Sequence, residues 1–425
     1  MVYDIKSMQE VIDMGRDELI VGIDIGTVKV CTVVGELNED DQIEIIGIGS
    51  APSLGVKKGI IIDLDQAIQS VKQSVEHSER MAGARINSAF ISIAGNHITS
   101  LNSKGVIAIS GESPEITERD IEKVIEAAKA GIVSPDKELI HTLSREFIVD
   151  GQTGIIDPLG MSGTRLECKV HIITGSITAV QNLIKCIEGS GIDIEEMIFG
   201  ALASSNAILS NAEKELGALL VDIGAGTTEI AIFVDGGLAY SAVLPVGGNQ
   251  ITNDLAIGLR TSLDEAERIK INYGSAVENI ISPERVVEIS DIDGENKHTV
   301  SKKYLVDIIE PRVSEIFSLV RNEVIKSGCY ESIPGGVIIT GGSSLLPGIL
   351  EISEEVLNLP SRLGKPHYEG ELADMLNDPA YSAAIGLLNY AIEKQSIGRS
   401  RKISKRRTGV KNIFGRILTW IKDFF

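Results

Sequence analysis

Two segments of nearly the same pattern, about 200 residues apart, constrain the fold of this chain more than any other feature. The first is LIVGIDIGTVKVCTVVGEL at 19–37, and the second is ALLVDIGAGTTEIAIFV at 218–234. Each begins as an apolar β-strand, turns at an Asp-x-Gly sequence and continues as a second strand. One such turn is weak evidence because glycine turns are common. Two matched copies predict two related α/β halves whose turns face one cleft.

The glycines of both turns suit the binding of a nucleoside triphosphate. A residue without Cβ lets backbone N–H groups point at phosphate oxygens with no bulky side chain in the way. The candidate phosphate-binding residues are Asp24, Gly26, Thr27 and Lys29 in the first turn, and Asp222, Gly224, Gly226, Thr227 and Thr228 in the second. The carboxylates of Asp24 and Asp222 are placed to hold Mg²⁺ through its retained water shell, unless they only cap the turns.

Two further glycine elements follow the second hairpin. VGGN at 246–249 adds Gly247 and Gly248, and TGGSSLLPG at 340–348, which follows an apolar strand, adds the adenosine-contact candidates Gly341, Gly342 and Ser343. In this order and spacing, DIGT, DIGAGTT, VGG and TGGSS resemble the signature of the actin, sugar-kinase and heat-shock chaperone superfamily. The resemblance implies an actin-like ATPase fold, of class α/β, that binds ATP and Mg²⁺ between its two halves.

The same resemblance implies that a Glu and a Lys on the helix after the second hairpin flank the adenine and the ribose. Glu267 and Lys270 occupy suitable positions. An exposed pair of opposite charges three residues apart on a helix is an equally good explanation of these two residues. Ala225 stands where a third glycine is common, and its small side chain should leave nucleotide binding intact.

Within that superfamily, the chain most resembles the FtsA family of bacterial cell-division proteins, over about residues 18–425. The resembling segments are VKKGIIIDLD, ISIAGNHI, FGALASSNAIL, VDIGAGTTEIAIF and an amphipathic C-terminus. The family implies that subdomain 1B is absent and that a differently placed subdomain, 1C, takes its role in contacts. The expected subdomains are 1A (18–100, 176–210 and 375–393), 1C (101–175), 2A (211–250 and 333–374) and 2B (251–332).

The segment 101–175 has the pattern of an inserted α+β subdomain. It contains strand-like VIAIS at 106–110, a helix beginning at Thr117 with Asp120 in capping-box position, and EFIVDG at 146–151. It carries no cluster of catalytic side chains. We therefore expect it to contact another protein, including a second copy of this chain in a filament.

The segment FGALASSNAIL at 199–209 is informative about ATP hydrolysis. Many catalytic members of the superfamily place an acidic or amide side chain in or near this segment to orient the attacking water. Here it has no Asp, Glu or Gln, and its polar side chains are Asn206 and two serines. The sequence therefore predicts ATP binding with weak or no ATPase activity, and no catalytic residue is assigned.

Charge is distributed very unevenly along the chain. The net charge is −20, but residues 394–425 carry +9 and the preceding body carries −29. The acidic body makes nucleic acid an unexpected partner, whereas the basic tail favours an anionic surface. Residues 394–411 hold eight Lys or Arg and no acid, which predicts a flexible basic linker.

The last residues, 412–425, predict an amphipathic helix. Its apolar side chains share one arc of the helical wheel: Ile413, Phe414, Ile417, Leu418, Trp420, Ile421, Phe424 and Phe425. At about 20 Å it is too short for the roughly 30 Å hydrocarbon core, and a membrane surface is its favoured site. Docking on protein is the alternative. No apolar run of membrane-spanning length occurs and the N-terminus is polar, so a peripheral protein on the cytoplasmic face of the cell membrane is expected.

The FtsA resemblance implies a particular set of partners. Proteins of this family bind the C-terminal peptide of the tubulin homologue FtsZ on subdomain 2B, tether FtsZ filaments to the membrane, self-polymerise at the division septum and meet other division proteins. By position, the helix at 302–326 is the matching surface, with Arg312 and Glu315 as candidate FtsZ contacts. Exposed charges on a helix are usually only solvated, which is the simpler explanation of this pair.

Three other functions on the same fold are alternatives to a role in cell division. A small-molecule kinase would need a catalytic Asp and a sugar pocket, and the sequence offers no convincing motif for either. A heat-shock chaperone would need a peptide-binding domain, which about 32 residues after the body cannot form. A pilus-assembly type of membrane-associated actin homologue is the nearer alternative, and the identity of the partner would distinguish it.

Overall fold

The computed structural model describes residues 19–38, 42–110, 115–279, 286–292, 294 and 296–394. The chain begins with the elements of the first half: β1 (Ile20–Ile25), β2 (Lys29–Leu37), β3 (Ile43–Pro52), β4 (Val56–Lys57), β5 (Ile60–Ile61), α1 (Leu64–Ala82) and β6 (Ser88–Ile93). Asp63 caps α1, because its carboxylate accepts the Gln66 N–H at 3.1 Å. Gly83 ends the helix in the left-handed conformation, with φ of 65°.

An inserted subdomain follows β6. Its elements are β7 (Thr99–Ala108), α2 (Glu118–Lys129), β8 (Lys137–Val149), β9 (Gln152–Ile155) and β10 (Arg165–Ser176). The four strands form one sheet in the order β7-β10-β8-β9, and α2 packs on it through a separate apolar core that includes Val124 and Leu166. The predicted capping interaction is present, since Asp120 accepts the Thr117 N–H at 3.2 Å. The VIAIS segment is only the end of a strand that begins at Thr99.

The chain then returns to the first half and enters the second. The first half is completed by α3 (Ile177–Gly189), β11 (Asp193–Phe199) and α4 (Gly200–Ile208). The second half contains α5 (Asn211–Leu216), β12 (Ala218–Ile223), β13 (Thr228–Val234), β14 (Gly237–Leu244), α6 (Gly248–Leu259), α7 (Leu263–Tyr273), β15 (Val286–Ser290), β16 (Lys297–Ser301), α8 (Lys302–Ser327), β17 (Val337–Thr340), α9 (Ile349–Leu357), β18 (Ser361–Leu363) and α10 (Ala373–Leu376).

The two halves have the same sheet topology. The first sheet has the order β3-β2-β1-β6-β11, and the second has the order β14-β13-β12-β17-β18. In each, the first three strands are antiparallel and the last two join in parallel. The internal repeat predicted from the two Asp-x-Gly segments is therefore confirmed at the level of whole sheets.

The inserted subdomain also bonds directly to the second half, on the edge strand β14. Ser100 donates its hydroxyl to the Ser241 carbonyl at 2.6 Å, and the Asn102 amide donates to the Ala239 carbonyl at 3.0 Å. His171 lies between them, with Nδ1 2.7 Å from Asn102 Oδ1 and Nε2 2.9 Å from Ser241 Oγ. We call these contacts the insert joint. They connect the subdomain to the half from which it does not originate.

The last described element is helix α11, which covers residues 382–394. The sequence pattern predicts an amphipathic helix over 377–393, but the helix begins only at Ser382, because Asp378 caps a short 3₁₀ turn that starts at Pro379. The helix packs tightly on α4, where a Cβ on Gly386 would lie 1.8 Å from the Ala203 carbonyl oxygen. Among the described residues, no helix is both long and apolar enough to cross a membrane.

The sequence pattern from Thr252 through Tyr273 predicts one helical stretch, but the structure has two helices there. They are separated at Arg260, which adopts a left-handed φ of 51° and ends α6, while the Ser262 hydroxyl accepts the Glu265 N–H and begins α7. Propensity alone did not reveal the break, since both flanking segments favour helix. The expected long helix at 302–326 is present as α8, within one residue of its predicted end.

Candidate functional site

A cleft of about 460 Å³ lies where the two halves meet. The predicted residues that line it are Asp24, Gly26, Thr27, Lys29, Asp222, Gly224, Gly226, Thr227, Gly248, Glu267, Lys270, Gly341, Gly342 and Ser343. The fold thus brings together residues from five separate sequence segments. The volume of the cleft is in the range of pockets that bury a ligand of nucleotide size.

Two predicted residues, Thr228 and Gly247, do not line this cleft. Thr228 is the first residue of β13, and its hydroxyl donates to the Val246 carbonyl at 2.8 Å. Thr227, which precedes the strand, lines the cleft, whereas the Thr228 side chain is used within the second half. Gly247 lies behind the second turn, where a Cβ would be 2.5 Å from the Gly224 carbonyl oxygen. Both residues support the turn rather than facing its ligand side.

The two turns have the same backbone hydrogen bond. The Gly26 N–H donates to the Lys29 carbonyl at 3.0 Å, and the Gly224 N–H donates to the Thr227 carbonyl at 2.9 Å. These glycine N–H groups are therefore engaged within their turns. The N–H groups that follow them, of Thr27, Val28, Ala225 and Gly226, form no backbone hydrogen bond within the described part of the chain. They are the donors that the turns offer to an anion.

The turns also touch each other. A Cβ on Gly226 would lie 2.5 Å from the Thr27 hydroxyl oxygen and 3.1 Å from the Lys58 Cα. Glycine at 226 therefore permits the close approach of the two halves. At the third glycine element, Gly341 has a φ of 84°, and a Cβ there would lie 2.3 Å from Asp222 Oδ1. Only glycine fits this position.

The two predicted magnesium residues are matched in their surroundings. Asp24 accepts the Ser92 hydroxyl at 2.6 Å, and Asp222 accepts the Ser204 hydroxyl at 2.6 Å. Burial raises the pKa of Asp24 above its usual value, and it raises the pKa of Asp222 to about 6. Within the described ranges, no group of three or more His, Cys, Asp or Glu side chains is placed to hold a metal ion directly.

Glu229 is a third carboxyl group in the cleft, and none of the predicted site residues includes it. It lines the cleft, is only 7% exposed, and accepts the Ala201 N–H at Oε2 over 2.9 Å. Burial raises its pKa well above the usual value, and the nearby Asp222 and Asp24 raise it further. The sequence does contain an indication of this residue, because Asp222 and Glu229 flank one tight turn and must pair across the hairpin, on the same face.

Lys29 reaches the cleft from the first turn but is held by the segment before α11. Its ammonium nitrogen donates to the Ala380 carbonyl at 3.2 Å. The neighbouring Asp378 and Pro379 also line the cleft. No sequence motif marked these three residues, because they become neighbours of the first turn only through the folding of a segment about 350 residues away.

At the other end of the cleft, Glu267 and Lys270 form an ion pair of 2.7 Å and line the cavity as well. The Lys270 ammonium also donates to the Thr252 hydroxyl at 2.8 Å and to the Gly248 carbonyl at 3.2 Å. Lys270 is thus bonded within the second half as well as lining the cleft, and its side chain is only 13% exposed. Ile271 and Leu345, which are 69% and 48% exposed, add apolar surface to the same end. This surface suits the face of a planar ring.

The segment at 199–209 supplies little polar chemistry to the cleft. Ser204 bonds to Asp222, while the Ser205 hydroxyl donates to the Leu202 carbonyl within its own helix. The Asn206 side chain accepts the Lys214 ammonium at 2.9 Å. The acid near this segment is Glu229, which reaches it from the opposite half.

The candidate FtsZ contacts lie on α8, outside the cleft. The Arg312 guanidinium donates to Asp254 Oδ2 on α6 at 2.6 Å, and it also pairs with Glu315. Arg312 is therefore already bonded within the second half, whereas the Glu315 side chain is 53% exposed. The linker beyond residue 394 and the candidate membrane residues from Ile413 to Phe425 lie outside the described residues.

These features define a class. Two halves of identical topology enclose a cleft whose floor is formed by two glycine turns, and an α+β subdomain is inserted in the first half. Solved structures share this actin-like ATPase fold. A PilM-PilN type IV pilus biogenesis complex matches with a TM-score of 0.63 at 16% identity, covering 88% of this chain and 98% of that chain. MreB5 of Spiroplasma citri bound to ADP matches with a TM-score of 0.50 at 16% identity, covering 91% and 98%.

The chain belongs to the FtsA family. A family model described as "Cell division protein FtsA" matches residues 219–386, and one described as "SHS2 domain inserted in FTSA" matches residues 95–174. Cell division protein FtsA of Pseudomonas aeruginosa is 43% identical over 91% of this chain and 92% of its own length. Those of Borreliella burgdorferi and Escherichia coli K12 are 41% and 34% identical, over 96% of this chain and 99% and 98% of their lengths.

Proposed function

We propose that this chain is an ATP-binding, actin-like cell-division protein that tethers FtsZ filaments to the membrane and self-polymerises at the division septum. The observation that carries the nucleotide part is the pair of matched turns with unengaged N–H groups at Thr27, Val28, Ala225 and Gly226. The division part is supported by membership of the FtsA family. A small-molecule kinase has no comparable support.

In this proposal, the phosphates of ATP lie between the two turns. The ribose lies near Glu267 and Lys270, and the adenine contacts the apolar surface of Ile271 and Leu345. MreB5, which shares the fold, has been solved with ADP and with AMPPNP, and this supports the same ligand class here. We expect weak or no ATPase activity, because the segment at 199–209 contributes only Gly200 to the lining of the cleft.

Mg²⁺ is proposed to accompany the nucleotide. Asp24 and Asp222 fit a contact made through the ion's water shell, because their partly buried side chains line one cavity from opposite halves and have no ion-pair partner among the described residues. Bound there, the ion would neutralise phosphate charge. No direct protein ligation is proposed.

The partner surfaces follow from the sequence and the family. The FtsZ peptide is assigned to α8, around Arg312 and Glu315, and the observed Arg312–Asp254 pair adds α6 to that surface. Self-assembly and other division proteins are assigned to the inserted subdomain. The apolar residues Ile413 to Phe425, aided by the basic linker, are assigned to an anionic membrane surface on its cytoplasmic face.

Co-sedimentation with liposomes, with and without FtsZ, tests the tethering function. Full-length protein should pellet with anionic vesicles and carry FtsZ with it, and salt should weaken but not abolish this binding, since the apolar contribution remains.

Trp420→Glu should release the protein from the vesicles. The matched control Thr419→Glu adds the same charge on the polar side and should pellet as wild type does. If a chain truncated after residue 410 still pellets fully, the tail is not the membrane anchor. Docking on protein is then the better explanation of its apolar face.

The pilus-assembly type of adaptor is the second candidate on the same fold. Its support is the likeness to the PilM-PilN complex, which at 16% identity concerns the fold alone. Carriage of FtsZ into the liposome pellet distinguishes the two candidates, because the pilus-type adaptor would leave FtsZ in the supernatant.

A further inference from the structure

The described lining of the cleft contains two lysines, which are held in different ways. The Lys270 ammonium forms an ion pair of 2.7 Å with Glu267, which offsets part of its charge. No acid of the described residues forms an ion pair with Lys29. Its ammonium nitrogen instead donates to the Ala380 carbonyl at 3.2 Å and lies 3.5 Å from the centroid of the Tyr381 ring. Both contacts are with uncharged groups, so the positive charge of this lysine remains available to an anionic ligand.

The Tyr381 ring is fixed by side-chain packing and by its backbone. The side chain packs against the buried apolar cluster that contains Cys31. The backbone N–H of Tyr381 donates to the Asp378 carbonyl at 3.0 Å. The next residue, Ser382, makes the hydroxyl contact of 2.8 Å with Thr340. The ring is therefore a preformed surface against which the ammonium lies, rather than a side chain that must be ordered together with it.

Tyr381 can act on a ligand only through Lys29. Its side chain does not line the cleft, whereas that of Lys29 does. The Tyr381 hydroxyl forms no hydrogen bond within the described part of the chain, so the ring face is what makes the contact. An ammonium group has three N–H donors. The Ala380 carbonyl accepts one of them and the ring covers one side, which leaves at least one donor for the cleft.

A lysine side chain that is free in solvent loses conformational entropy when a ligand fixes it. A side chain that is already held near its bound position loses less, and this preorganisation strengthens binding. We propose that Tyr381 is a positioning residue of the nucleotide site: its ring holds the Lys29 ammonium, with its charge intact, at the place where phosphate oxygens bind. This inference rests on the proposed ATP site and adds to it a residue that does not itself contact the nucleotide.

Tyr381→Leu removes the aromatic face but keeps an apolar side chain against the core. The ATP affinity of the full-length protein, measured by titration calorimetry, should fall about threefold to tenfold, in keeping with the usual strength of a cation–π contact. Tyr381→Phe keeps the ring and should restore most of that affinity. Pentafluorophenylalanine in place of Tyr381 has nearly the shape of phenylalanine but reverses the quadrupole of the ring, and it should lower the affinity as the Leu variant does.

A double-mutant cycle separates positioning from a purely structural role. In the Lys29→Met background no cation remains to be positioned, so Tyr381→Leu should change ATP affinity by less than about twofold. A ring that only supports the fold would weaken binding in both backgrounds. Tyr390→Leu makes the same substitution at another half-buried tyrosine, on α11 and outside the cleft lining. It is the matched control and should bind ATP as wild type does, with thermal unfolding recorded for every variant.

Equal affinities for wild type and the Leu and pentafluoro variants, or an equal loss in the Lys29→Met background, would overturn the role of Tyr381 while leaving the nucleotide site intact. Tighter ATP binding by Tyr381→Leu would also overturn it, because the ring would then compete with the ligand for the ammonium. If Tyr381→Leu does not fold, the comparison of phenylalanine with pentafluorophenylalanine decides alone. Absence of ATP binding by wild type would overturn the proposed site as well.

Discussion

The ammonium nitrogen of Lys29 lies 3.5 Å from the centroid of the Tyr381 ring. This cation–π contact joins the first glycine turn to the segment that leads into the last described helix, although the two residues are about 350 positions apart. Thr340 and Ser382 make a hydroxyl–hydroxyl contact of 2.8 Å nearby. The segment at 378–382 therefore touches both halves, and it sets the position of a lysine that lines the cleft.

We expect Lys29→Met to weaken ATP binding about tenfold or more. A hydrogen bond to a charged group contributes about 1.5–3 kcal/mol, and each 1.4 kcal/mol corresponds to a factor of ten in affinity. Calorimetry on folded protein measures the change. Lys57→Met, the same substitution at an exposed lysine of β4, is the control and should bind ATP as wild type does. Equal affinities for the two variants would remove Lys29 from the phosphate site.

Gly342→Ala should lower ATP affinity without lowering stability. A Cβ at this position would meet only the Ala380 Cβ at 3.7 Å, so it causes no clash within the protein and occupies ligand space instead. Thermal unfolding and ATP titration should be measured together. Gly237→Ala, where the Cβ makes ordinary contacts of 3.6 Å and longer with Arg145 outside the cleft, is the matched control. Undiminished ATP affinity in Gly342→Ala would show that the nucleotide does not approach the third glycine element.

Acid should destabilise the fold through His171 at the insert joint. Burial, with smaller effects of the Arg145 and His141 charges, lowers the pKa of His171 to about 4. The unfolded chain, with an ordinary pKa of about 6.5, binds the proton first, so this stabilisation is present above pH 6.5 and is lost as the pH falls toward 4. The expected loss from pH 7.5 to pH 5 is about 2 kcal/mol.

Urea unfolding at both pH values measures this loss. Asp222, whose pKa is raised to about 6, acts in the opposite direction, because its contribution is lost as the pH rises through 6. The comparison of wild type with His171→Gln separates the two effects, since only the histidine is removed. A variant with the same acid sensitivity as wild type would argue against this role of His171.

Removing the inserted subdomain should leave a folded monomer that forms no filaments on lipid. The excision is practicable because Thr99 and Thr174 are register partners, so a short glycine-serine linker can join them. The Ala239 and Ser241 carbonyls that lose Ser100 and Asn102 become accessible to water, which can bond to them. Circular dichroism tests the fold and electron microscopy tests assembly. Filaments formed by the shortened chain would place the polymer contact elsewhere.

The general fold could be predicted because its signals are local. The Asp-x-Gly turns, their flanking apolar strands and the capping box at Thr117 and Asp120 are short-range patterns that the structure confirms. The order of the strands within each sheet was not predicted, since strand pairing such as β17 with β12 depends on contacts between distant segments.

The candidate site was predicted less completely, for two physical reasons. Glycine motifs identify backbone that faces the cleft, but they do not mark a buried side chain on the adjoining strand, and Glu229 follows only from its pairing with Asp222 across the hairpin. They also give none on segments brought in by tertiary packing, such as Asp378 to Ala380. Similarly, the pairing of Arg312 with Asp254 could not be inferred from the three-residue spacing to Glu315.

The tight packing of α11 determines where the C-terminal tail starts. Gly386 is pressed against the Ala203 carbonyl, Tyr390 donates to Glu196 at 2.9 Å, and Lys394 pairs with the same glutamate. The helix is thus attached to the first half up to the last described residue. The reach of the terminal segment is then set by residues 395–411 alone, which at full extension span at most about 60 Å. A surface bound by residues 412–425 can therefore lie no farther than that from Lys394, and shortening this segment would lower that limit.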